Sequence, residues 1–190
     1  MKISAVLLAG GESRRMGQDK AMIVFRGRPL WQIQLELLRK LTPAEIFISA
    51  REDPAWRPPD IQFAADRSPS RGPLSGLTAA LAGMGGTHLL ALAIDMPFMT
   101  EIYLRSLCDQ IEPGRGVLPM IGDRAEPLTA IYPADAHVDL MEALSGTEFS
   151  LQRLTKKLVK RGKLRALNVT KEWETLFRSL NDLADLSLLQ

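Results

Sequence analysis

Short apolar runs rich in Val, Ile and Leu recur along the chain between amphipathic segments of helical length, and this alternation restricts the fold more than any other feature. It predicts an α/β protein, a single three-layer domain built on a mostly parallel mixed sheet. The predicted strands are Ile3 to Leu8, Glu45 to Ser49, Ile61 to Ala64, Leu89 to Ile94, Val117 to Met120, Leu128 to Tyr132 and Leu164 to Asn168. Helices fit between most of them. One runs from Pro29 to Leu41 with Leu30, Ile33, Leu37, Leu38 and Leu41 on its core face. Another starts after Thr100, whose hydroxyl can cap it. Others cover Ala134 to Leu144, Leu151 to Arg161 and Asp182 to Leu189. The Pro-rich stretch Asp53 to Asp60 is a surface loop, too short to link domains.

With 190 residues the chain is long enough for one well-filled core and short for two. A net charge of +2 is too small for a general polyanion binder, which argues against nucleic acid. Cys108 is the sole cysteine, which excludes an internal disulfide and a cysteine-built metal centre and fits a reducing compartment. His88 and His137 are far apart and offer no histidine-rich metal site. The opening MKISAVLLAGG runs into charged residues rather than a cleavage site, so it reads as a strand and not a leader. The uncharged stretch Leu74 to Ile94 is broken by Gly83, Gly85, Gly86 and His88, which makes it a buried helix, a turn and a buried strand rather than a membrane span. A cytoplasmic protein with no membrane contact is expected.

The segment LLAGGESRRMGQDK, Leu7 to Lys20, is the most informative for chemistry. A buried strand ends in Gly10 and Gly11, which let main-chain N–H groups approach an anion, and a basic loop follows. Arg15 offers a planar fork to phosphate oxygens, and Lys20 a mobile charge that can follow a leaving pyrophosphate. The same residues also read as a strand, a glycine turn and a solvated loop. Neither a Walker lysine motif nor G-x-G-x-x-G is present.

Asp95 directly follows the run Leu89 to Ile94 and so stands at the carboxyl end of a strand, where open α/β sheets bind ligands. A carboxylate there suits Mg²⁺, a hard ion that shares its sphere with substrate phosphates. Asp66 opens the loop after Ile61 to Ala64 and reads equally well as an Asx-turn. Ser75 and Cys108 have no paired histidine and read as structural. Seven cations without an acid lie between Leu151 and Arg165, by default a solvated helix face and, on a sharper reading, an attractor for a substrate phosphate or an acidic partner.

LAGGESRRMGQDKA resembles the signature L-A-G-G-x-S-x-R-M-G-x-D-K of molybdenum cofactor guanylyltransferases. The resemblance continues through GPLSG at Gly72 to Gly76, DMPF at Asp95 to Phe98 and EPLTAIY at Glu126 to Tyr132. It implies a Rossmann-like, GT-A-like nucleotidyltransferase fold and transfer of GMP from Mg-GTP to the terminal phosphate of molybdopterin or Mo-molybdopterin. It further implies that Leu8, Ala9, Gly10, Gly11, Lys20, Asp66 and Asp95 bind the nucleotide, that Arg15, Lys20 and Asp95 are catalytic, and that Asp95 holds the metal. Molybdopterin-carrying proteins and acceptor molybdoenzymes are the implied protein partners.

Two segments depart from the family pattern. Ser49-Ala50-Arg51 stands where N-A-N is common, and of the pattern N-x-N-T-P-E-D-L near the end only Asn181 remains of the asparagines. Two rival readings stay open: a cytidylyltransferase acting on the same pterin, whose loop usually reads A-A-G where this chain has Ala9-Gly10-Gly11, and a catalytically silent GTP-binding subunit or chaperone for molybdoenzymes.

Overall fold

The computed structural model describes residues 1–10, 19–66 and 69–180. Among the described residues, ten strands and six α-helices follow one another as β1 (Ile3–Leu8), β2 (Val24–Phe25), β3 (Arg28–Pro29), α1 (Leu30–Lys40), β4 (Ile46–Ala50), β5 (Gln62–Ala65), α2 (Pro73–Gly83), β6 (His88–Ala93), α3 (Glu101–Cys108), β7 (Gly116–Ile121), β8 (Arg124–Ala125), β9 (Ile131–Pro133), α4 (Ala136–Ser145), α5 (Leu151–Lys160), β10 (Leu164–Asn168) and α6 (Lys171–Glu174). Eight of the strands form one sheet in the order β10-β7-β9-β6-β1-β4-β5, with β8 paired to β7. The β1–β4, β1–β6, β4–β5 and β7–β10 pairs are parallel, whereas β9 runs antiparallel to β6 and β7. The expected mostly parallel mixed sheet is therefore present.

Strand periodicity divides the core in two. Ala5 and Leu7 of β1 and Leu90 and Leu92 of β6 pack on one face with α1 and α3. Val6 and Leu8, with Leu89 and Ala91, pack on the other with α2, α4 and α5. Successive side chains of a strand point to opposite faces, so two continuous apolar runs fill both outer layers. The stretch Leu74 to Ile94 resolves into α2 and β6, and no described helix is long and apolar enough to cross a membrane.

Several boundaries move from the sequence expectation. The predicted strand Leu128 to Tyr132 becomes a 3₁₀ turn at Pro127–Thr129 followed by β9. Pro127 has no N–H for a ladder, and Thr129 N–H closes the turn on the Glu126 carbonyl at 3.1 Å. The β2–β3 hairpin was not expected. Its turn places Arg26 and Gly27 at φ 50° and 76°, the left-handed pair that matches strand twist. On α1 the buried face runs through Leu30, Gln34, Leu35, Leu37 and Leu38, while Ile33 and Leu41 are only half-buried. A polar Gln34 concealed the true centre of that face. Thr100 caps α3 as expected, its hydroxyl accepting from Tyr103 N–H at 3.4 Å. The predicted helix Asp182 to Leu189 lies outside the described residues.

Candidate active site

From β1 the chain passes to β4 and β5 on one side and then crosses back to β6 on the other, so the order reverses between β1 and β6. The crevice beyond the carboxyl ends of strands at such a reversal is where open α/β sheets take ligands. Two charged groups meet there. Lys20 begins a 3₁₀ turn, Lys20–Met22, held by the Asp19 carboxylate accepting from Ala21 N–H at 2.9 Å. Asp95 lies two residues past β6. Lys20 Nζ is 2.9 Å from Asp95 Oδ2, and each side chain is only about one-fifth exposed (21% and 20%). The Asp95 carbonyl accepts from Leu180 N–H at 2.9 Å, fastening the last described segment over the crevice.

A second carboxylate stands at the end of β5. Asp66 Oδ1 accepts from the Ser49 hydroxyl at 2.9 Å and Oδ2 from Ser70 at 3.3 Å. Two glycines make room for it. A Cβ on Gly10 would stand 3.1 Å from Asp66 Oδ2, and one on Gly76 only 2.4 Å from Ser49 Oγ and 3.1 Å from Asp66 Oδ1. Ala9 and Gly10 N–H both donate to the Ser49 carbonyl, at 2.9 and 3.1 Å. These two hydrogens tie the end of β1 to β4, so the contribution of Gly10 here is space rather than a free donor. Leu8 is the buried last residue of β1.

Hollows open on both sides of the Lys20–Asp95 pair. One of about 370 Å³ lies over β1 and β4, between Gly10, Ala50, Arg51 and Trp56. Its tryptophan is fixed, with Nε1 donating to Asp19 at 2.9 Å and the ring stacked on Trp31 at 5.6 Å. The other, a cleft of about 810 Å³, lies over β6, β9 and β7 and is lined by Asp95, Phe98, Glu126, Leu128, Phe177 and neighbours. A two-sided crevice with an ion pair at its middle offers one hollow to each of two ligands.

Residues 5–163 match the MobA-like NTP transferase domain. The chain belongs to that family. It is a nucleotidyltransferase. A "probable molybdenum cofactor guanylyltransferase" of Opitutus terrae is 34% identical over 90% of this chain and 86% of its own length. The molybdenum cofactor guanylyltransferase of Syntrophotalea carbinolica is 30% identical over 96% of this chain and 88% of its own. Among solved structures, molybdopterin-guanine dinucleotide biosynthesis protein A from Archaeoglobus fulgidus superposes with a TM-score of 0.75 at 25% identity, covering 98% of this chain and 95% of that one. The 2-C-methyl-D-erythritol 4-phosphate cytidylyltransferase of Thermus thermophilus shares the fold, with a TM-score of 0.70 at 17% identity over 99% and 96% of the two chains.

Of the residues expected in the site of this MobA-like transferase, Leu8, Ala9, Gly10, Lys20, Asp66 and Asp95 gather at the carboxyl ends of β1, β5 and β6. Gly11 and Arg15 lie outside the described residues, as does Asn181. Ser49 is buried and holds Asp66, a role its place in the departing Ser49-Ala50-Arg51 segment gave no means of anticipating. Glu126 and Trp56, which line the two hollows, were given no role from the sequence. Ser75 is structural, its Oγ accepting from Arg71 N–H at 2.8 Å. Cys108 is half-buried, and burial pushes its thiol up to about 11, away from nucleophilic use.

The basic run has a structural explanation. Lys157 pairs with Glu142 at 2.8 Å, Lys163 with Asp139 at 2.9 Å and Arg165 with Glu112 at 3.3 Å, while Arg153 pairs with Glu148 and Arg161 with Asp139. Acids of α4 thus pair with Lys157 of α5 and with Arg161 and Lys163 just after it. Among the described residues only Lys156 and Lys160 of the seven carry no ion pair within the fold.

Proposed function

We propose that this transferase moves GMP from GTP to the terminal phosphate of molybdopterin, releasing pyrophosphate. The observation that carries the reading is the Lys20–Asp95 pair between two hollows, 2.9 Å apart at the strand-order reversal. Sequence similarity to named guanylyltransferases supports this choice of substrates.

The nucleotide occupies the hollow over β1 and β4, with Gly10 in its wall and Asp66 beside Gly10, and the pterin occupies the larger cleft. The acceptor phosphate is already anionic near neutral pH, so no strong base is required. Catalysis rests on in-line positioning and on offsetting the crowded negative charge. Lys20 follows that charge from the triphosphate to the departing pyrophosphate, aided by Arg15.

Asp95 offers a hard oxygen at the rim of an open cleft, and no group of three potential ligands surrounds it among the described residues. That donor set fits Mg²⁺, which commonly takes one or two carboxylates and completes its sphere from phosphates and water. When bound, Mg²⁺ supplies positive charge shared between Asp95 and the phosphate oxygens.

The test is pyrophosphate release from GTP with Mg²⁺ and molybdopterin, in wild type and Asp95→Ala, with CTP and ATP as competitors. Release that depends on GTP and on Asp95 is expected. Equal rates in the two proteins would reject the assignment of Asp95, and clear preference for CTP would reject the choice of nucleotide.

A further inference from the structure

Glu126 is a second carboxylate in the 810 Å³ cleft that holds Asp95, and only 16% of its side chain is exposed. Its backbone is fixed from three directions. Its N–H donates to the Pro119 carbonyl at 2.9 Å, and its own carbonyl accepts from Thr129 N–H at 3.1 Å. The preceding Ala125 is clamped by the Gln152 side-chain amide, which accepts from Ala125 N–H at 3.1 Å and donates to the Ala125 carbonyl at 2.7 Å.

The carboxylate itself is poorly served. Among the described residues its ion-pair partner is Arg124, 3.5 Å away and 78% exposed, and no hydrogen bond reaches it. Burial raises its proton affinity above the usual carboxylate value, and Arg124 offsets this only in part. A half-buried carboxylate between apolar walls such as Met96, Phe98, Leu128 and Phe177 calls for a flat ligand bearing parallel N–H donors. Two side-by-side donors match the two carboxylate oxygens as an arginine fork does.

We propose that Glu126 reads the acceptor, taking one hydrogen bond from the ring N3–H and one from the 2-amino group of a pterin seated in the cleft. The proposal rests on the guanylyltransferase reading above. Guanine presents the same pair of donors, an amide N–H beside an exocyclic amine. The hollow over β1 and β4, across the Lys20–Asp95 pair, is the nucleotide's place in that reading, which leaves this cleft to the pterin.

Steady-state kinetics of Glu126→Gln test it, because glutamine keeps the shape but offers one acceptor in place of two. KM for molybdopterin is expected to rise about 10- to 100-fold, with KM for GTP within about twofold and the unfolding midpoint unchanged. Glu126→Asp restores part of the loss. A rise in KM for GTP instead would assign the residue to the guanine, and unchanged constants for both substrates would also overturn the proposal. A binding arm, read by ligand fluorescence, compares pterin with lumazine, which carries a 2-oxo group in place of the amine. Wild type is expected to prefer pterin and Glu126→Gln to lose the preference; equal binding of both by wild type would overturn the proposal. If the wild-type protein makes no guanylylated product, the functional reading falls, and this arm decides the role of Glu126 alone.

Discussion

Lys20 Nζ and Asp95 Oδ2, 75 residues apart in sequence, hold each other at 2.9 Å across the mouth of the crevice. In the proposed reaction each must exchange this partner, Lys20 for phosphate and Asp95 for the metal, so binding of the metal nucleotide swaps one set of charge pairs for another. Asp95→Asn removes the metal's carboxylate and also removes one competitor for Lys20. Transfer is expected to fall about 10²- to 10³-fold, the size typical for a lost electrostatic stabiliser. Affinity for GTP in the presence of chelator is expected to stay level or increase. Titration calorimetry without metal checks this; loss of metal-free binding in parallel with turnover would refute the exchange.

The Ser49–Asp66 hydrogen bond gives a second expectation. Gly76→Ala drives a methyl to 2.4 Å from Ser49 Oγ, whereas the nearest atom to the methyl of Gly10→Ala is Asp66 Oδ2 at 3.1 Å. Overpacking of this kind costs about 1–3 kcal/mol. Gly76→Ala should therefore lower the unfolding midpoint more than Gly10→Ala, and both should raise KM for GTP by displacing Asp66. Gly116→Ala, whose Cβ would fall 1.8 Å from the Ile131 carbonyl, should be the most destabilising of the three and lies away from the candidate site residues. A reversed ranking in thermal melts would contradict the packing.

Much of this arrangement was legible in the sequence because strands buried on both faces are written as short unbroken apolar runs. The end of such a run locates Asp95 to within a residue or two. Lys20 was picked out by the glycine-led motif that it closes. What stayed hidden depended on contacts remote in sequence. Ser49 looks like a lost ligand until β5 brings Asp66 beside it, and Glu126 looks like an ordinary polar residue until Pro127 turns the chain into the cleft. The seven cations near α5 look like one binding surface until α4 lays Asp139 and Glu142 against three of them, Lys157, Arg161 and Lys163. The predicted face of α1 held at Leu30, Leu37 and Leu38, with Ile33 and Leu41 at the edge of the core, but it left out Leu35 and the polar Gln34.

Stability should respond to acid in two separate windows. His88 is buried at the start of β6 with Nε2 3.1 Å from the Glu112 carbonyl, and burial lowers its pKa below the ordinary 6.5, although the hydrogen bonds to Glu112 and Arg115 backbone oppose this. The unfolded chain then takes up a proton that the fold resists. Stability is undiminished above 6.5, falls as pH drops through that value, and stops falling from this cause only below the folded pKa. For Asp139, burial alone would raise the pKa, but Lys163 and Arg161 more than offset it and leave it below 3.8. Its contribution is present above 3.8 and is lost as pH falls through the folded value. Denaturant melts of His88→Gln should lose the upper slope and keep the lower, and Asp139→Asn the reverse; a slope near pH 6 that survives in His88→Gln would assign it elsewhere.

Gln34 offers the opposite kind of change, a substitution that improves the fold. It is fully buried on α1 at 0% exposure, and among the described residues neither its amide nitrogen nor its amide oxygen has a hydrogen-bond partner. An unsatisfied buried polar group costs about 1–3 kcal/mol, because water is given up and nothing replaces it. Methionine has nearly the same length and volume and a flexible apolar stem, so it can occupy the space among Leu30, Leu37 and Leu38 without a polar atom to satisfy. Gln34→Met is expected to stabilise the protein by about 1 kcal/mol or more, roughly 2–4 °C in Tm for a chain of this size, at unchanged transfer activity. Gln34→Ala separates the two contributions, since it removes the same amide but leaves a cavity, and it should melt below Gln34→Met. A methionine variant that unfolds below wild type would mean that the amide is satisfied in solution and that α1 packs differently around it.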